Sequence, residues 1–133
     1  MESSYRLRKI VGGLPHMAYV EVRVEAFSQD GVAVSDEVFD WRRDVYGRSA
    51  VSGGTADQQM VAEAIEGVWY VLVRSGGSDG GGRLVTVTSI RDSPADTGVG
   101  DVRFAAVAAT CQALGVVLDR PPFIDASGVV FPN

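Results

Sequence analysis

The sequence contains very little of the residue types that build disulfides, metal centres and catalytic bases. Cys111 is the only cysteine and His16 the only histidine among 133 residues. A single cysteine excludes an intramolecular disulfide and any multi-cysteine metal cluster. The acids Asp92, Asp96 and Asp101 lack the spacing of a calcium-binding loop. We therefore expect neither a metal nor a cofactor.

Positive charge is also scarce. Twelve basic residues face seventeen acidic ones, a formal net charge of −5, which excludes the broad basic surface of a non-specific nucleic-acid binder. A local cluster is still available, because Arg42, Arg43 and Arg48 surround Tyr46. Guanidinium groups beside an aromatic ring suit phosphate or an acidic partner. The alternative interpretation of this segment is an ordinary solvated loop.

Long apolar segments are absent as well. No uninterrupted apolar run reaches the roughly 18 residues that would cross a membrane. The first residues, MESSYRLRKI, lack the apolar segment of a secretory signal. The nucleotide-binding pattern G-x-x-x-x-G-K-[ST] does not occur. We expect a cytoplasmic protein without a membrane or nucleotide partner.

What the sequence does contain is the alternation typical of β-strands. From Val20 to Ala26, apolar residues alternate with Glu21, Arg23 and Glu25, which predicts a half-buried strand. Further strands are predicted for 5–10, which enters a hairpin, and for 32–41, 84–90 and 116–118.

Two segments, 56–74 and 101–114, have apolar residues at helical spacing. In the first, residues 68–73 are rich in β-branched and aromatic side chains and also fit a buried strand after a break at Gly67; we favour one helix. The second begins at Asp101 as a candidate N-cap. Its predicted packing stripe is Phe104, Val107, Ala108, Cys111 and Leu114.

These elements predict one domain over residues 1–133, with a core over about 5–119 and a tail or loose hairpin over 120–133. Hydrophobic residues make up 46% of the chain and charged ones 22%, which suits a chain that buries a core. We expect an α+β fold: a mainly antiparallel sheet of about four strands with two helices packed on one face. The composition of residues 42–55 predicts a surface connection. That of residues 75–82 predicts a flexible reversal of the chain direction.

Short segments spread along the chain carry a family resemblance. They are Tyr5-Arg6, Gly12-Gly13, AYVEVRVEAF, Ala64-Ile65-Glu66, VTVTSIRD, Phe104-Ala105 and Val116-Val117-Leu118-Asp119. In this order the chain resembles domain IV of translation elongation factor G, whose fold is shared with the second domain of ribosomal protein S5. The resemblance covers about 5–119 and rests on collinearity rather than on one signature.

The resemblance implies a non-enzymatic module that binds a macromolecular partner, ribosome or RNA, through two loops at its tip. The corresponding positions are Gly12, Gly13, Leu14, Pro15 and His16 in the first loop, and Asp92, Ser93, Asp96 and Thr97 in the second. Both loops depart from the family. Leu14-Pro15-His16 stands where Arg-Gly-Gln is usual, and Ala95 falls where the family has a histidine.

Two alternatives follow from other residues. Tyr19 and Phe27 lie on the charged face of the long strand, which favours a self-associating accessory protein or homo-oligomer if that face is exposed. A small-molecule binder or enzyme using the sheet–loop cleft is the other alternative, although no acid and base occur at a required spacing and we assign no catalytic residue. We expect His16 in an exposed loop and Cys111 as a buried apolar side chain.

Overall fold

The computed structural model describes residues 1–76 and 81–132 and shows a two-layer α+β fold. Its strands are β1 (Glu2–Val11), β2 (Leu14–Phe27), β3 (Gly31–Val34), β4 (Gly82–Arg91), β5 (Phe123–Asp125) and β6 (Gly128–Val130). Its helices are α1 (Trp41–Tyr46), α2 (Thr55–Arg74) and α3 (Asp101–Leu114). The first four strands form a sheet in the order β1-β2-β4-β3, and β5 pairs with β6. The predicted fold class is confirmed.

The sheet is mainly antiparallel because its longest strands are joined or paired as hairpins. Gly12 and Gly13, both with positive φ, connect β1 to β2, and a two-residue turn of this kind matches the twist of paired strands. Strand β4 pairs antiparallel with β2 and parallel with β3. The parallel pair is possible because α2 runs back between β3 and β4.

One face of the sheet carries the core. Val20 and Val22 on β2 and Val85 and Val87 on β4 are fully buried. The register shifts once, since Glu21 pairs with Ser89 but Val22 pairs with Val87. This bulge leaves one extra residue in β4 and moves Ile90, also fully buried, onto the core face.

Helix α2 is continuous across the ambiguous segment 68–73, as we favoured. Gly67 does not break the helix, because it lies where α2 meets α3. A Cβ added there would approach the Arg103 carbonyl oxygen to 2.5 Å and the Ala106 Cβ to 2.8 Å. The glycine therefore allows the two helices to approach each other closely.

The predicted packing stripe of α3 is wrong. The face buried against the sheet and α2 consists mainly of small residues: Val102, Ala105, Ala106, Ala109, Thr110 and Ala113. Of the predicted stripe, only Val107 is buried, in a second cluster with Tyr70, Val71 and Leu118. Small side chains bring the helix backbone nearer the sheet, so the larger residues of α3 lie toward its rim.

Four predictions outside the main elements also need comment. The strand predicted for 32–41 ends at Val34, because the Ser35 Oγ accepts the Glu37 N–H and starts a turn that leads into α1. Residues 116–118 form no strand. The hairpin predicted about Ser127-Gly128 is confirmed as β5 and β6. The reversal predicted for 75–82 includes 77–80, which lie outside the described residues.

Candidate functional site

The two loops singled out by sequence lie at one end of the molecule. The first contains Gly12 and Gly13 between β1 and β2, and the second is 92–100 between β4 and α3. We call the end formed by residues 12–16 and 92–100 the tip. Its parts are held together by side-chain contacts that local sequence patterns do not reveal.

Asp101 is the centre of these contacts. Its carboxylate is fully buried and accepts three hydrogen bonds: Oδ1 from His16 Nδ1 at 2.7 Å, and Oδ2 from the Gly98 N–H at 2.7 Å and the Met17 N–H at 3.2 Å. One side chain of α3 thus fixes β2 and the second loop at once. The prediction that Asp101 caps α3 is wrong, because its carboxylate faces away from the first turn of its own helix.

The N-terminus of α3 is capped from the neighbouring helix instead. Glu63 of α2 accepts the Gly100 N–H at Oε2 and the Arg103 N–H at Oε1, both at 3.2 Å. These are orphan donors of the first turn, and a carboxylate there also favours the helix dipole. Sequence spacing cannot reveal such a cap because donor and acceptor are 37 and 40 positions apart.

His16 is buried, not exposed as predicted, with only 6% of its surface accessible. It lies on β2 rather than in a loop. Since a carboxylate can only accept, the Nδ1 atom must carry the proton that is shared with Asp101. Within the described chain, Nε2 has no hydrogen-bond partner and no solvent contact.

Thr97 joins the second loop to β2 a second time. Its Oγ1 donates to the Met17 carbonyl at 2.6 Å and accepts the Ser93 N–H at 2.9 Å. Asp96 is exposed and contacts only the Ser93 hydroxyl, at 3.5 Å. Of the predicted second-loop residues, Ser93 and Thr97 therefore shape the loop, and Asp96 remains accessible.

The C-terminal hairpin covers part of the tip. A Cβ at Gly12 would lie 3.1 Å from the Ala126 Cα, and one at Gly100 would lie 2.9 Å from the Val129 Cβ. Both loop backbones therefore contact the β5–β6 hairpin. The remaining open part is a depression of about 490 Å³. It is lined by Arg8, Lys9, Ile10, Pro15, His16, Met17 and Asp96.

The predicted arginine cluster is divided by the fold. Arg42 makes a bidentate ion pair with Asp57 at 2.7 and 2.8 Å and reaches Asp92 at 3.3 Å. The hydrogen bond from Arg42 lowers the pKa of Asp57 below its ordinary value. The guanidinium group of Arg42 and the carboxylate of Asp92 are thus paired with each other within the protein. Arg43 and Arg48 remain exposed.

Tyr19 and Phe27 lie on the same face of β2 but in different surroundings. The Tyr19 ring is contacted by Arg6 and Arg91, and its hydroxyl donates to Glu21 Oε2 at 3.0 Å. Phe27, at the far end of β2, is 49% exposed. Because Phe27 lies eight positions from Tyr19 along β2, the two rings belong to separate surfaces rather than to one patch.

The remaining reactive side chain does not build a site. Cys111 is half-buried, and burial raises the pKa of its thiol, which disfavours the reactive thiolate. In the described part of the chain, no group of three or more His, Cys, Asp or Glu residues is placed to hold a metal ion. Over the same residues, no helix combines the length and apolar character needed to span a membrane.

No protein-family model matches the sequence, and no curated protein matches it either.

Sequence reasoning missed Arg6 and Arg91, which flank Tyr19 on the open face of the sheet, and Trp41 of α1, which lies beside Arg91. Arg6 pairs with Tyr19 across β1 and β2, and Tyr19 pairs with Arg91 across β2 and β4. The signal that the sequence offered was the alternation of side chains along each strand, which places Arg6 and Tyr19 on the face opposite the core residues. The register that aligns these residues is set by the Gly12-Gly13 turn and by the β4 bulge. It cannot be read from the sequence of any one strand.

Proposed function

We propose that this chain is a non-enzymatic module, resembling domain IV of translation elongation factor G, that binds ribosome or RNA through its tip. The observation that carries the proposal is the way Asp101 and Thr97 hold the second loop against β2, beside the Gly12-Gly13 turn of the first loop. Loops fixed before binding lose little conformational entropy when a partner docks. A pre-ordered surface of two loops is what a recognition module requires.

Charge at the tip supports an anionic partner. Arg8 and Lys9 border the tip depression, and within the described residues neither makes an ion pair. Leu14 and Pro15 are exposed beside them and supply apolar contact area. Together they offer RNA a small cationic surface with apolar edges, on a protein whose net charge is otherwise −5. With ribosome or RNA as the partner, we also propose that the protein is cytoplasmic.

Co-sedimentation with ribosomes at moderate salt tests the proposal. The wild type should sediment with ribosomes, and Lys9→Glu should reduce the bound fraction several-fold because it reverses charge at the tip. Arg23→Glu, the same charge change at an exposed position of β2 outside the tip, is the matched control and should bind like the wild type. Absence of wild-type binding, or equal loss in both variants, contradicts a tip-directed interaction.

Self-association is the second candidate, favoured by the exposed Phe27 and by the uncovered sheet face. Light scattering at high protein concentration tests it directly. A dimer that Phe27→Ser converts to a monomer would establish this face as the interface. A monomer at every concentration excludes it.

A further inference from the structure

Guanidinium groups and aromatic rings follow one another from the open face of the sheet to helix α1. Arg6, Tyr19 and Arg91 occupy one cross-strand row on β1, β2 and β4. The Tyr19 ring centre lies 5.0 Å from the Arg6 Cζ and 5.2 Å from the Arg91 Cζ. Trp41 continues the series 5.9 Å from the Arg91 Cζ, and the Tyr46 ring follows at 6.1 Å. We call these five residues the arginine–aromatic row.

The two arginines of this row are not neutralised. Across residues 1–76 and 81–132, neither Arg6 nor Arg91 has a carboxylate partner, and the buried Nε of Arg91 has no acceptor. Arg42 differs, because Asp57 and Asp92 occupy its donors. A guanidinium stacked on a ring keeps the N–H donors in its plane for an oxyanion. Arg6 and Arg91 are therefore available to a ligand.

The charge around the row favours an anion. Arg8 lies two positions from Arg6 on the same face of β1 and adds a third cation. Glu21 is the nearest acid along β2, and its Oε2 is engaged by the Tyr19 hydroxyl. Helices α2 and α3 both pack on the opposite face of the sheet. Within the described chain, no helix covers the row.

The spacing and composition of the row distinguish among anions. Arg6 and Arg91 lie two strands apart, which separates their backbones by roughly 10 Å. Aromatic rings accompany both cations, and Tyr46 at the end of the row is 60% exposed. Such a surface matches a chain that carries phosphates and flat bases. An acidic peptide has carboxylates for the arginines but no bases to stack on the rings.

We propose that the arginine–aromatic row binds a single strand of nucleic acid. Arg6 and Arg91 contact its phosphates, and Trp41 and Tyr46 stack on its bases. The inference rests on the proposed function only for the class of partner, because the row and the tip are built from different residues and share only the neighbouring Arg8. RNA and DNA share this chemistry and are separated by the test.

Fluorescence anisotropy with labelled 12-nucleotide single strands of RNA and of DNA tests the proposal on the full chain at low salt. Arg6→Ala and Arg91→Ala should each weaken binding about tenfold, as loss of a phosphate or stacking contact does. Each should also reduce the salt slope by roughly 0.7. Arg23→Ala removes the same charge from the same face of β2 outside the row, and its affinity should change less than twofold. The strand bound more tightly identifies the natural source.

Tryptophan fluorescence reports the row directly. The chain has two tryptophans, so Trp69→Phe leaves Trp41 as the only one, and stacking on a base should quench its emission. Trp41→Phe leaves Trp69 on α2 and should show no quenching. Arg91→Lys keeps the positive charge and serves as the second variant if Arg91→Ala does not fold. It should bind the strands more weakly than the wild type because lysine lacks the planar guanidinium fork.

Several results would overturn the proposal. Equal affinity for the wild type, Arg6→Ala and Arg91→Lys does so, as does an equal loss in Arg23→Ala. Displacement by poly-glutamate without any strand binding assigns the row to an acidic protein instead. Lys9→Glu should reduce the affinity for the short strands less than Arg6→Ala does. If the protein binds oligonucleotides but not ribosomes, only the tip proposal is refuted. If it binds ribosomes but not oligonucleotides, only the proposal for the arginine–aromatic row is refuted.

Discussion

The two faces of the sheet are stabilised in different ways. The covered face holds fully buried valines, such as Val20 and Val87, under α2 and α3, and the fully buried carboxylate of Asp101 there has three hydrogen-bond donors. The open face carries Arg6 and Arg91, which contact rings but no carboxylate in the described chain. The buried carboxylate on the covered side thus has internal partners, although His16 Nε2 and Thr110 Oγ1 have none within the described chain, whereas the guanidinium groups on the open face retain donors. Changes on the covered side should lower stability, and changes on the open face should lower binding.

Asp101→Ala should have the largest effect. It leaves the buried His16 and two backbone N–H groups without an acceptor, a loss of about 3–5 kcal/mol in the free energy of unfolding. Urea denaturation measures it. Asp96→Ala, which removes an exposed acid of the same loop, is the control and should change stability by less than about 0.5 kcal/mol. Similar values for both variants would show that Asp101 does not hold the tip together.

The Arg42–Asp57 pair, beside the second loop, should make stability depend on pH. The pKa of Asp57 is lowered in the folded protein, so its contribution is complete above the ordinary value of 3.8 and is lost as pH falls through the lower folded value. Asp57→Ala should destabilise by about 3 kcal/mol at neutral pH because Arg42 loses its main partner.

The same variant should flatten the acid limb of stability against pH, measured by urea denaturation between neutral pH and pH 2. Asp30→Ala, which removes a more exposed carboxylate paired with Arg83, should retain most of that limb. An unchanged acid limb in Asp57→Ala would show that this pair contributes nothing to acid sensitivity.

Gly67→Ala tests the close approach of the helices that cover the core face. Alanine favours a helix by about 1 kcal/mol, but its Cβ would meet the Arg103 carbonyl at 2.5 Å. Separation of α2 and α3 should therefore give a net loss of about 1–3 kcal/mol, measured by thermal unfolding. Stabilisation would show that the helices have room to spare. Gly54→Ala, where nothing lies within 4 Å, is the control.

Arg6→Ala should have the smallest effect on stability, less than about 1 kcal/mol, because an exposed cation–π contact contributes little. Thermal unfolding measures it. A loss as large as that of Asp101→Ala would show that the arginine–aromatic row is a structural element. The comparison between the two faces would then fail.

The secondary structure of this chain could largely be predicted because its signals are local. Alternation on β2 and β4, helical spacing over 56–74 and the Gly12-Gly13 turn each lie within one segment. The predictions failed where packing competes with pattern. On α3, Phe104 and Cys111 appeared to form the buried stripe, but Ala105 and Ala109 allow closer contact with the sheet.

The candidate site was much less predictable than the fold. His16 follows a glycine turn and resembles a loop residue, yet the strand begins at Leu14 and its parity directs His16 toward Asp101, 85 positions away. Arg42 resembles an available cation, but Asp57 and Asp92 come to it only in the folded chain. The family resemblance implied that the first-loop glycines and the second loop lie at one end of the molecule, and the strand order of the sheet brings them there.

By itself, the sequence determined the α+β class, the strand and helix periods and the shortage of metal ligands, since composition and local spacing decide these. Only the tertiary structure decided which charges are neutralised and which are available. Asp101, Glu63 and Arg42 find oppositely charged or hydrogen-bonding partners on distant elements, whereas Arg6 and Arg91 contact aromatic rings but no carboxylate within the described chain. That difference depends on strand register and helix crossing, which arise when the whole chain packs.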